Sequence, residues 1–133
     1  MALKENEKKD LVKYRLEKAK ATFVEIPVLI ENQFYSTAAN RLYYACFYAA
    51  IALLINEGYD THTHSGVKTL LGLHFFKINR IDKSFSILYE QLFNLRQSGD
   101  YEDWIYLDEE KITPLLAPAE QFIKTIEKLI NNE

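Results

Sequence analysis

The string richest in chemistry is LRQSGDY, residues 95–101, which joins a cation, a carboxylate and a phenol across a glycine. Arg96 presents a planar guanidinium that can hold a phosphate through two hydrogen bonds, Asp100 can orient a cation or accept a proton, and Tyr101 brings a hydroxyl. The same residues also suit a purely structural task, in which Arg96 and Arg41 pair with Asp100 to tie two helices together. The histidines His62, His64 and His74 add imidazole chemistry. His62 and His64 are one residue apart, but no carboxylate or cysteine cluster accompanies them, so loop histidines rather than a metal site are expected. His64 stands at the threshold of a helix, where it could cap that helix or aim its ring at a bound phosphate.

Other chemistries are absent from the sequence. There is no GxxxxGK[ST] or GxGxxG loop, no HExxH, no paired CxxC and no Glu-x-x-His spacing of a di-iron bundle, so neither a cofactor nor a metal is expected. The net charge of −3 argues against gripping nucleic acid by bulk electrostatics, although a local basic pocket remains compatible with it. The single cysteine, Cys46, cannot form an internal bridge and lies in an apolar run where thiols are inert packing groups. The N-terminus MALKENEKKD lacks the apolar stretch of a signal peptide, and the apolar run Leu42 to Ile55 falls short of the roughly 20 residues that span a bilayer. A soluble cytoplasmic protein with no membrane association is the expectation.

The elements that must position these residues read as helices. With 133 residues, 48% of them hydrophobic and 14% aromatic, the chain can build one core, and a single domain over residues 1–133 is expected. Val12, Leu16, Ala19, Phe23, Ile26 and Ile30 recur in steps of four and three, which predicts a helix from about Glu5 to Glu31, kinked or ended near Pro27. A second helix should begin at Ser36 or Thr37, either of which can cap it, and run to Gly58. It is apolar all round and so must be covered on every side, in part by a second subunit. At about 100° per residue, Arg41, Tyr44, Ala45, Tyr48 and Ala52 share one stripe, and Tyr44 and Tyr48 are the expected contacts of a homodimer. A third helix is predicted over Ser65 to Phe76 and a fourth over Ser84 to Ser98, stopped by Gly99. The last begins near Asp108, or at Thr113 with Pro114 in its first turn. The fold class is therefore all-α, an up-and-down bundle of about five helices.

AANRLYYACFYAA in the second helix, THSGV opening the third and FNLRQSGDY closing the fourth together resemble the HEPN (higher-eukaryote and prokaryote nucleotide-binding) domain. The likeness is to its branch with N-R-x-Y-Y-A and R-x-x-x-D-Y motifs, and spans about residues 10 to 130. It implies a helical bundle that dimerises, is often encoded beside a small nucleotidyltransferase, and in active members is a ribonuclease of toxin or defence systems. Those nucleases carry a histidine about four to six residues after the motif arginine, whereas here the corresponding positions hold Tyr101, Glu102 and Asp103. The resemblance thus implies an interaction module in which Arg41, Arg96, Asp100 and Tyr101 bind a nucleotide or RNA phosphate, with Tyr101 as a target of nucleotidyl transfer by the partner. A ribonuclease using Arg96 with His64 or Tyr101 is the alternative, and a purely structural helical dimer a second one.

Overall fold

The computed structural model describes residues 4–101 and 107–133, the side chains of residues 97–101 excepted. Among the described residues there are five α-helices and no strand: α1 (Glu5–Glu31), α2 (Tyr35–Asn56), α3 (His64–Leu71), α4 (Ser84–Tyr101) and α5 (Glu109–Asn131). The chain leaves α3 through a π-helical turn, Gly72–Phe76.

α2 is the axis of the bundle, in contact with α1, α3, α4 and α5. Leu42, Tyr43, Ala45, Cys46, Ala49, Ala50 and Leu53 are all fully enclosed. Each large apolar side chain buried in this way contributes about 1.5–3 kcal/mol, and the alanines between them let neighbouring backbones come close. In length and composition α2 would also pass for a membrane-crossing helix, but most of it is buried among the other four. α1 lies along it through Val12, Leu16, Ala19 and Ile26, while α5 contributes Ile112, Ala119, Phe122, Ile123 and Ile126. α4 adds Leu88, Tyr89 and Leu92.

Several helix ends differ from the sequence expectation. Neither Ser36 nor Thr37 caps α2. The turn closes early through Gln33 in the left-handed region (φ 63°), with the Phe34 amide donating to the Leu29 carbonyl, so the helix has begun by Tyr35. His64 is not the cap of α3 either; it is the first helical residue, because Thr63 takes the capping position. α4 runs through Gly99 to Tyr101, since glycine permits a helix to end without compelling it. α5 starts after Asp108, the first of the two expected starts, whose side chain accepts from the Lys111 amide at 3.0 Å; the alternative start at Thr113 is not taken, and Pro114 and Pro118 lie inside the helix. α1, by contrast, has the expected bounds, with Pro27 inside it and its end at Glu31. The connector DYEDWIYLD lies largely outside the described residues.

Candidate functional site

α3 and α4 each deliver a side chain to one aromatic platform on α2. His64 is set by the start of α3, where the Thr63 hydroxyl accepts a hydrogen bond from the Gly66 amide at 2.9 Å. A Cβ added at Gly66 would collide with the hydroxyls of Thr61 and Thr63, so the capping side chain would have to move. The imidazole packs 4.4 Å from the Phe47 ring, and its Nδ1 is hydrogen-bonded to the Tyr43 hydroxyl at 2.8 Å. From α4, Arg96 donates to the Tyr44 hydroxyl at 3.4 Å, with its guanidinium carbon 5.8 and 5.7 Å from the Tyr43 and Tyr44 ring centroids. The same two rings flank His64, at 5.6 and 5.7 Å. Arg96 and His64, far apart in sequence, therefore meet over the tyrosine pair.

The electrostatics follow from this packing. Burial, and secondarily the positive charge of Arg96, push the His64 pKa below its usual value and favour the neutral imidazole. Burial raises the Tyr43 phenol to about 12, against the opposing influence of Tyr89 and Arg96, so it remains a neutral donor and acceptor. The Tyr89 ring lies 5.8 Å from that of Tyr43, and its hydroxyl approaches the Tyr43 phenol outside ideal hydrogen-bond geometry.

The remaining sequence candidates fall as follows. Arg41 donates to Thr22 Oγ1 at 3.3 Å and lies 3.9 Å from the Glu25 carboxylate, so these contacts are with α1. Asp100 and Tyr101 belong to the final turn of α4, and their side chains lie outside the described residues. Tyr44 and Tyr48 are half-buried with ring centroids 5.8 Å apart, and the Lys18 ammonium sits 4.6 Å over Tyr48. His62 is exposed beside Asp60, and His74 stacks on Tyr59. Among the described residues no group of three or more His, Cys, Asp or Glu side chains could hold a metal. Tyr43 and Phe47 were missed as site residues. Their signal was present, since they are four apart on α2 and form a second aromatic edge beside the Tyr44–Tyr48 stripe.

Residues 12–129 match the HEPN domain family. The chain belongs to this family. Among curated HEPN relatives, a "UPF0332 protein" of Thermotoga maritima is 33% identical over 127 residues, which is 96% of each chain. Two proteins of Methanocaldococcus jannaschii, each named "Putative toxin", are 30% and 32% identical, covering 86% and 77% of this chain and 78% and 76% of their own. The Arg96–His64–tyrosine cluster lies wholly inside the matched span of this HEPN domain.

Proposed function

We propose that this HEPN domain is a toxin-type module that binds the phosphate of an RNA or nucleotide at Arg96, His64 and Tyr44. The observation that carries this reading is the convergence of a guanidinium, a neutral imidazole and a phenol from three helices on one half-buried platform. Arginine matches a phosphate's geometry, and the other two groups can donate to its remaining oxygens. Arg41 lies one turn before Tyr44 on α2, and Asp100 and Tyr101 follow Arg96 about one turn later in the sequence of α4, and this reading counts them with the site on that sequence placement. The names of the two M. jannaschii relatives support a toxin role. In this reading two copies associate across the Tyr44–Tyr48 stripe, and a small nucleotidyltransferase acts as partner with Tyr101 as its target. The test is binding of a fluorescent single-stranded RNA and of a nucleoside monophosphate. Arg96→Ala should abolish both while far-UV circular dichroism shows an intact bundle, and unchanged binding would sink the reading.

A second reading is favoured by the placement of His64 beside Arg96, which supplies an imidazole where the family's usual histidine is replaced. With Nδ1–H donated to Tyr43, Nε2 of His64 takes the proton of an RNA 2′-hydroxyl. O2′ then bonds to phosphorus to give a 2′,3′-cyclic phosphate, the P–O5′ bond breaks, the departing O5′ takes a proton from water, and Arg96 neutralises the charge that builds on the phosphate. No metal enters. Purified protein should then cleave RNA, with cleavage lost in both His64→Ala and Arg96→Ala; failure of the wild type to cleave leaves the binding reading alone.

A further inference from the structure

A groove of about 460 Å³ opens beside the site, lined by Ser65, Lys68, Thr69, Gly72, Leu73, Lys77 and Phe93. Its size is that of ligand clefts, which run to roughly 300–1,000 Å³. Its lining adjoins the residues of the site at two points. Ser65 follows His64 in α3, and Phe93 stands one turn before Arg96 on α4, its ring 6.0 Å from that of Tyr43. The ionisable groups of its lining are two lysines, in a chain that is acidic as a whole. Glu90 at its edge pairs with Lys68, whose ammonium also rests 4.8 Å over the Phe93 ring. Both partners of that ion pair are well exposed, so Lys68 can exchange Glu90 for another anion at little cost.

We infer that this groove carries the single-stranded RNA segment that continues from the nucleotide held at Arg96 and His64. The inference rests on the phosphate-binding reading of that site. Lys68 and Lys77 meet successive backbone phosphates, Ser65 and Thr69 offer hydroxyls to phosphate or ribose, and the Phe93 face released by Lys68 stacks a base. Gly72 keeps the passage open. It has ordinary helical dihedrals (φ −59°, ψ −51°), and a Cβ built on it meets no atom within 4 Å, so its small size answers to no packing demand.

That feature supplies a variant that fills the groove without disturbing the fold. The experiment measures anisotropy of a labelled, uncleavable 2′-O-methyl RNA of about eight nucleotides alongside a nucleoside monophosphate, with Gly72→Ala as a folding control. Gly72→Glu should weaken the oligonucleotide about tenfold and leave the monophosphate unchanged, whereas Arg96→Ala weakens both. Replacing Lys68 and Lys77 together by alanine should lower the slope of log affinity against log salt by about 1.4. Oligonucleotide binding equal to wild type in Gly72→Glu and in the double lysine variant overturns the groove while leaving the Arg96 site standing. Loss in those variants with none in Arg96→Ala would instead keep the groove and overturn the site. Capture of an acidic peptide as tightly as RNA would also overturn the proposal.

Discussion

The Nδ1 atom of His64 lies 2.8 Å from the hydroxyl of Tyr43, a bond that fastens the first residue of α3 to the middle of α2. Because Tyr43 is fully buried, the bond gives a half-exposed imidazole a fixed orientation. Arg96 shares the same ring and adds, after burial, to what keeps that imidazole neutral.

The first prediction follows from this sharing. Burial first and Arg96 second hold His64 below its ordinary 6.5, so the unfolded chain takes up a proton here at a higher pH than the folded one does. The stability this contributes is present above about 6.5 and is lost as pH falls through the folded value. Denaturant titrations at about pH 7.5 and pH 5 should show a decline that His64→Gln reduces, and NMR should find the His64 midpoint raised in Arg96→Gln. A midpoint unmoved by that substitution would mean the two groups are not coupled.

The start of α3 is equally open to test. Thr63→Ala removes the cap and should cost about 1 kcal/mol. Gly66→Ala should cost at least as much, because its methyl displaces the hydroxyls of Thr61 and Thr63. Thermal melts check both, and a Gly66→Ala protein as stable as wild type contradicts the crowding seen there.

Association is predicted to run through α2. Tyr48→Glu, beside Lys18 on the half-buried stripe, should convert a dimer to a monomer in light scattering at about 50 micromolar, the range in which a modest interface is populated. A wild type that is monomeric at that concentration refutes the dimer.

Cys46 provides a probe of global opening. Its thiol is fully buried and burial raises its pKa, so a thiol reagent should label the folded protein only at the rate of unfolding. Cys46→Ser should cost about 1–3 kcal/mol by placing a hydroxyl in apolar surroundings. Rapid labelling under native conditions would show that α2 opens locally.

Much of the fold could be read directly from side-chain periodicity. The bounds of α1 followed from the spacing of Val12, Leu16, Ala19 and Ile26, and the central place of α2 from its lack of any polar face. The ends were less legible, because Gly99, Ser36 and Thr37 carry signals that the tertiary turn through Gln33 and the continuation of α4 override. In the site, Arg96 and His64 stood out by residue type. Tyr43 did not, since a phenol in an apolar helix looks like core until the position of α3 is known, and here it serves as core and as hydrogen-bond partner together. Arg41 was expected to pair with Asp100, whose side chain lies outside the described residues; the carboxylate seen beside it is Glu25, 3.9 Å away on α1, an element whose stripe pattern gave no hint of that contact.

Of the three groups proposed to hold a phosphate, His64 and Arg96 ride on α3 and α4, whereas the most extensive packing joins α1 to α2, which are neighbours in sequence and meet through a tight turn. Assembly of the site is thereby separable from cohesion of the scaffold. α3 is short and of its side chains only Val67 and Leu71 are buried in the core, so it can detach at an energy below that of global unfolding. Amide exchange should find Val67 and Leu71 opening before Ala49 and Leu53, and a partner that binds the detached α3 would silence the protein without denaturing it. Equal protection across both helices would show instead that scaffold and site form one cooperative unit.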